Sequence, residues 1–221
     1  MVMERTNAKV STMSRLSATA GLFCCGLLWM SPVRGAIINP GQSAPTDGLA
    51  TFSGTVIHTE TDPFNSGTFL GSLTSTVYQQ SNGNLVFVYQ FSNANIQGAD
   101  GITAFTVAGY NYLSANADDQ TVGGDVSPNE VSRNPASGGG VNDTINFLFP
   151  AAAPVLPGQT SDLLVVDTNA TNWYEGSASL IGSLPANVQA PAPVPEPATM
   201  AVLATGLIGL LYRPGRKTSQ A

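Results

Sequence analysis

The sequence predicts an all-β body, an antiparallel β-sandwich of about seven or eight strands, set between an N-terminal signal-peptide helix and a short C-terminal transmembrane helix. Three observations predict it. Between Ala36 and Leu184 the apolar residues fall in short alternating or continuous runs and not at helical spacing. Those runs are separated by Asn, Ser, Thr and Gly, the composition of strands joined by tight turns. At each end of the chain lies a longer apolar run with basic residues beside it.

At the N-terminus, Arg5, Lys9 and Arg15 precede an apolar run from Leu16 to Met30, and the small and polar residues Ser31 to Ala36 follow it. That order of charged, apolar and small residues is a secretory signal peptide, assigned to residues 1–35 with cleavage after Gly35 or Ala36. The run is shorter than the ~20 residues a retained spanning helix needs. Leu22 and Phe23 are too bulky to precede a lipidated cysteine, so Cys24 and Cys25 do not read as a lipoprotein attachment point. Both cysteines leave with the signal. A body without thiols has no disulfide, no thiolate nucleophile and no cysteine-ligated metal, and its stability must come from its core. Residues 36–184 are enough for one such domain.

Within the body the clearest element is a hairpin, with Ser72 to Gln80 and Leu85 to Phe91 flanking Ser81-Asn82-Gly83-Asn84. Asn82 and Gly83 suit a two-residue type I′ turn. That register sets Tyr78 opposite Phe87, Thr76 opposite Tyr89 and Thr74 opposite Phe91. It groups Leu85, Phe87, Tyr89, Phe91 and Tyr78 on a buried face and leaves Val77, Val86 and Val88 on the other with Ser75, Gln79 and Gln90. Further strands are expected at Thr51 to His58, Ile102 to Ala108, Thr144 to Phe149, Asp162 to Asp167 and Ser177 to Ile181. From Asn111 to Val141 the pairs Asp118-Asp119 and Gly123-Gly124, Pro128, Pro135 and Gly138-Gly139-Gly140 predict a long loop with at most one edge strand. No internal repeat is visible.

Charge is partitioned along the chain. The body holds one basic residue, Arg133, against twelve acidic ones from Asp47 to Glu175, a formal charge of −11 where the whole chain carries −6. Nucleic acid and anionic headgroups are poor partners for such a surface, because binding them requires clustered Lys and Arg. The acidic excess keeps copies apart and attracts divalent cations weakly.

Residues 185–197 are rich in Pro, Ala and Val, with Pro191, Pro193, Pro195 and Pro197 at alternate positions, and predict an extended, stiff spacer. Ala198 to Tyr212 then forms an apolar helix about 22 Å long, short for a hydrocarbon core of about 30 Å. Arg213, Arg216 and Lys217, in the tail at 213–221, are the membrane stop that stays cytoplasmic and sets the body outside.

Pro195-Glu196-Pro197, the short helix containing Gly206 and Gly209, and the basic end together resemble the PEP-CTERM sorting signal of Gram-negative bacteria. The resemblance covers about the final 25 residues of the chain. It implies recognition of Pro195, Glu196 and Pro197 by exosortase, a membrane cysteine protease-transpeptidase. It further implies passage through the general secretion machinery, a transient stay in the inner membrane through the helix, and delivery to the cell surface or extracellular matrix. A Gram-positive sortase signal fits less well, since Leu184-Pro185-Ala186-Asn187-Val188 lacks the threonine and glycine such a signal needs. The body is also similar to the sandwich-like regions found before this tail, through Gly67 to Leu73 with Val77-Tyr78 and through Thr168 to Tyr174. Those regions bring no activity with them.

No catalytic set emerges. His58 is the only histidine, no Gly-x-Ser-x-Gly turn occurs, and His58 beside Thr59 and Glu60 reads as a solvated strand end more readily than as a general base. Paired carboxylates for glycoside hydrolysis cannot be selected from sequence spacing. Gly138 to Gly140 is not a phosphate loop, since no Lys-Ser or Lys-Thr follows. Calcium suits the oxygen-rich surface, yet Asn93-x-Asn95-x-Gln97-Gly98 lacks the first aspartate of a calcium loop, and Asp118, Asp119 and Asp125 show no ligand pattern. The expectation is therefore no catalytic residue, no cofactor and no dedicated metal site, with weak calcium binding at most. Trp173 and Tyr174 near Glu175 read first as an edge anchor of the core and second as a platform for sugars. The function expected is an exported, non-enzymatic surface or matrix protein. The alternative is a carbohydrate- or cell-surface-binding module with exopolysaccharide as partner.

Overall fold

The structure, a computed structural model, describes residues 35–194 apart from 95, 97, 98, 112, 123, 124 and 136–142. The described residues form twelve strands: β1 (Ala36–Ile37), β2 (Ser43–Pro45), β3 (Thr55–Asn65), β4 (Leu70–Gln79), β5 (Leu85–Asn93), β6 (Ala104–Ala108), β7 (Ala115–Gln120), β8 (Glu130–Asn134), β9 (Thr144–Leu148), β10 (Leu163–Thr168), β11 (Trp173–Ile181) and β12 (Pro185–Pro193). They make two six-stranded sheets, in the orders β1-β7-β10-β5-β4-β3 and β12-β11-β6-β9-β8-β2. Neighbouring strands are antiparallel throughout both ladders. The all-β class stands, with more strands than expected. Among the described residues no helix is long and apolar enough to cross a membrane; residues 1–34, with most of the signal peptide, and the helix expected at 198–212 lie outside them.

The sheets share one core. Leu85, Phe87, Tyr89 and Phe91 of β5 are fully buried, and residues of the other sheet, among them Phe105, Val107 and Phe147, complete the same cluster. Tyr89 packs 5.2 Å from Phe105, and Phe91 meets Phe149 edge-on at 5.6 Å. Each such side chain contributes about 1.5–3 kcal/mol by leaving water, which is how a body without disulfides holds two sheets together. The Tyr89 hydroxyl donates to the Pro191 carbonyl at 2.6 Å, and its oxygen lies 3.1 Å from that of Tyr110. Val86 and Val88 lie under a second, outer cluster with Ala50, Val165, Phe52, Tyr78 and Leu163. Strand β5 is therefore covered on both faces, which explains its unbroken apolar run.

The hairpin forms, but one position out of the expected register. Val77 pairs with Phe87, Ser75 with Tyr89 and Leu73 with Phe91. Gly83 takes a positive φ of 89°, its amide donates to the Gln80 carbonyl at 2.9 Å, and the Gln80 amide donates to Asn84 at 2.9 Å. This is a three-residue loop closed by a left-handed glycine. The extra loop residue leaves β5 in place and turns β4 over, because strand faces alternate every residue. Val77 and Ser75 face the core, and Tyr78 faces the outer cluster.

Other departures follow from edges and polar strands. Strand β3 runs on past His58 through Thr59 to Asn65, a polar stretch with Pro63, because it is the outer strand of its sheet and its free edge tolerates both. The stretch expected as a long loop supplies β7, paired with β1 and β10, and β8, paired with β9 and β2. Pro185–Pro193, expected as a spacer, is extended but also paired: it is edge strand β12, antiparallel to β11 along its length. Pro185, Pro191 and Pro193 share one parity, and alternate residues of an edge strand turn their backbone groups away from the sheet, so no ladder bond is lost.

Candidate functional site

Three places collect charge. The first lies where β3 meets β11. A register irregularity between Val56 and His58 is followed by alternation, so that His58, Glu60 and Asp62 are half-buried and Phe64 is buried. His58 Nε2 lies 3.3 Å from Glu60 Oε2 and 3.8 Å from Glu175 Oε1. The imidazole packs on Trp173 with ring centroids 4.2 Å apart and planes 35° apart. His58 Nε2 and Glu60 Oε1 are shielded from solvent without a hydrogen-bond partner. Burial raises the Glu60 carboxyl above its usual range, His58 pulls it back, and the charges of Glu175 and Asp62 raise it further. His58 is thus not a solvated strand end but one apex of a His-Glu-Glu cluster. Trp173 is partly buried against the core and meets the imidazole on its ring, while Tyr174 is 40% exposed.

The second place is acidic and buried. Asp118 and Asp119 lie in β7, not in a loop, and Asp162 sits just before β10. Asp118 Oδ1 accepts from the amides of Asp47 at 3.1 Å and Asp119 at 2.8 Å, and Asp119 Oδ1 accepts from Gly48 at 3.0 Å. Asp162 accepts from the Val122 amide at 2.9 Å and from the Ser127 hydroxyl. Asp119 Oδ2 has no hydrogen-bond partner. Burial, reinforced by the neighbouring charges of Asp118 and Asp162, pushes the Asp119 carboxyl up to about 7 against the pull of the Gly48 amide. Asp125 is held apart by Gln90 Nε2 at 3.0 Å. Asn93, the first residue of the calcium-like stretch, ends β5 and donates its amide to the carbonyls of Asp100 and Val155. Asn95, Gln97 and Gly98 lie outside the described residues.

The third place is Arg133, 3% exposed. Its guanidinium bonds Asp143 Oδ2 at 3.0 Å and 3.2 Å and donates to the carbonyls of Ile38, Leu113 and Tyr110. The body's one strong cation is therefore consumed inside the fold. A surface cavity of about 300 Å³ beside the turn Asn65–Leu70 is lined also by Ile96, Ala99 and Asp100; that lining offers one carboxylate and no histidine.

Strand β12 ends at Pro193, and the Val194 amide still donates to the Asn172 carbonyl at 3.0 Å. Pro195, Glu196 and Pro197, and Arg213, Arg216 and Lys217 beyond them, lie outside the described residues. The PEP-CTERM protein-sorting motif family matches residues 193–217. The chain carries a PEP-CTERM sorting signal. That signal marks an exported protein sorted by exosortase, and the matched stretch contains all six residues singled out from the sequence. The PEP-CTERM stretch begins on the last residue of β12, so the sorting signal starts where the sheet stops. No curated protein and no solved structure matches the chain.

The tail was legible because its three parts sit consecutively in sequence. The two acidic sites were not, because Glu60 and Glu175, like Asp119 and Asp162, are joined only by folding. The alternation His58, Glu60, Asp62, Phe64 was the one local signal for the first of them.

Proposed function

We propose that the body is a non-enzymatic surface or extracellular-matrix protein, delivered by its PEP-CTERM signal and displayed outside a Gram-negative cell. The single observation that carries this reading is the match at residues 193–217. The order of residues fits the role: in this reading the basic and apolar N-terminal stretch hands the chain to the general secretion machinery, the apolar run at 198–212 holds it in the inner membrane, and the cations after it keep that end inside. The polar, acidic surface suits an external matrix, where repulsion keeps copies soluble.

A second reading makes the body an exopolysaccharide-binding module. Exposed Tyr174, next to Trp173 and Glu175 on β11, one strand in from the edge of its sheet, is the observation that favours it, since aromatic faces stack on sugars. One experiment addresses both. Cells producing the full chain, or a chain truncated after Val194, are fractionated and probed with antibody against the body. The full chain is expected in the surface and matrix fractions, and the truncated chain is expected to lose that destination. Equal distribution of the two chains overturns the reading. Co-sedimentation of the surface fraction with the host's polysaccharide, abolished by Trp173→Ala, selects the binding module.

A further inference from the structure

We propose that His58, Glu60 and Glu175 form a binding site for a divalent transition-metal ion of the zinc class, which clips the free edge of one sheet to the other. His58 and Glu60 come from β3, the outer strand of its sheet, and Glu175 comes from β11 of the opposite sheet. A donor from each of the three residues lies within 4.8 Å of the others. Zinc holds nitrogen and oxygen at about 2.0–2.1 Å in a tetrahedron, so two of its donors stand about 3.3 Å apart. The observed 3.3 Å from His58 to Glu60 and 3.8 Å from His58 to Glu175 are already close to that spacing.

The donor set selects the ion. One imidazole with two carboxylates suits zinc and its neighbours, whereas calcium prefers oxygen donors alone and more of them. Charge points the same way. Two glutamates and Asp62 crowd the site, and the body's only Lys or Arg, Arg133, is committed to Asp143. His58 Nε2 and Glu60 Oε1, shielded and without a hydrogen bond, are the atoms such an ion would satisfy. The stacking of Trp173 on the imidazole holds the ring orientation, and the 46% exposure of the Glu175 side chain leaves an approach from solvent and a fourth position for water. In a body with no cysteine, the ion takes the place of a disulfide between the sheets. The competing account is a contact of His58 with the two glutamates and no ion between them.

The test uses the full chain without a histidine tag, stripped with chelator and with Cys24 and Cys25 alkylated, titrated calorimetrically with zinc. Cobalt serves as the spectroscopic probe. One zinc per chain is expected, with a Kd in roughly the micromolar range or tighter, visible-region cobalt bands of low-coordinate geometry, and a thermal midpoint raised by about 5 °C at saturating zinc. Glu175→Gln, at an exposed position that should not disturb folding, and His58→Ala should each weaken binding by about tenfold or more and remove both the bands and the thermal shift. Asp125→Asn should change none of these. Absence of stoichiometric uptake overturns the proposal, as does uptake that survives in Glu175→Gln and His58→Ala or falls equally in Asp125→Asn.

Discussion

Arg133 and Asp119 are both charged groups inside one sandwich, and their surroundings are opposite. Arg133 meets a carboxylate and three carbonyls, so its charge is answered on every side. Asp119 meets one amide through Oδ1, leaves Oδ2 without a hydrogen bond, and has Asp118 and Asp162 for neighbours. A buried ion that is fully answered ties elements together, while one that is not must take up a proton or a cation. The fold uses its single available cation for structure and leaves its carboxylates in deficit. The His58–Glu60–Glu175 cluster belongs with Asp119 in this respect.

The largest effect is expected at the answered site. Arg133→Met leaves Asp143 without its guanidinium and three carbonyls without donors, and should lower unfolding free energy by about 3–5 kcal/mol, measured by urea denaturation. A loss under about 1 kcal/mol would break the contrast, because it would mean that the cation was not needed. A smaller effect of opposite sign is expected at Asp119. Its carboxyl stands at about 7 in the fold against roughly 3.9 in an unfolded chain, and Asp118, Asp125 and Asp167 are also raised, chiefly by burial. Between those values the folded chain holds more protons than the unfolded one. Stability is therefore fully present on the acid side of the window and declines as pH rises through it to about 7. The thermal midpoint should fall between pH 5 and pH 8, and Asp119→Asn should flatten that fall, gaining on the order of 1–2 kcal/mol at pH 8 and about a third as much at pH 5. A midpoint that rises with pH, or a variant no more stable than the parent at pH 8, would show that Asp119 is answered after all.

How much the sequence disclosed follows from the range of each interaction. The all-β class and the buried set Leu85, Phe87, Tyr89 and Phe91 depend on alternation within a few residues, and they are found as expected. The register of the same hairpin turned on whether Ser81 belongs to the loop, a choice Asn82-Gly83 does not decide alone, and one residue exchanged Val77 for Tyr78 in the core. Ala115–Gln120 escaped detection because Asp118 and Asp119 are polar residues in a paired strand, accepted there through the amides of Asp47 and Gly48. Pro185–Pro193 escaped because density of proline argues against pairing, and only its place at an edge, invisible in sequence, removes the objection. Of the charged sites, Pro195-Glu196-Pro197 with the apolar run and cations after it was legible as a contiguous signal, whereas His58 and Glu175 lie 117 positions apart and needed the fold to meet.

That the chain is exported and processed at its tail is tested most directly by the intact mass of the exported protein from hosts with and without exosortase. With the enzyme, the mature chain is expected to end close to Pro197 and to lack the apolar stretch and the cations Arg213, Arg216 and Lys217. Without it, that stretch should remain. The same C-terminal mass in both hosts would contradict the account.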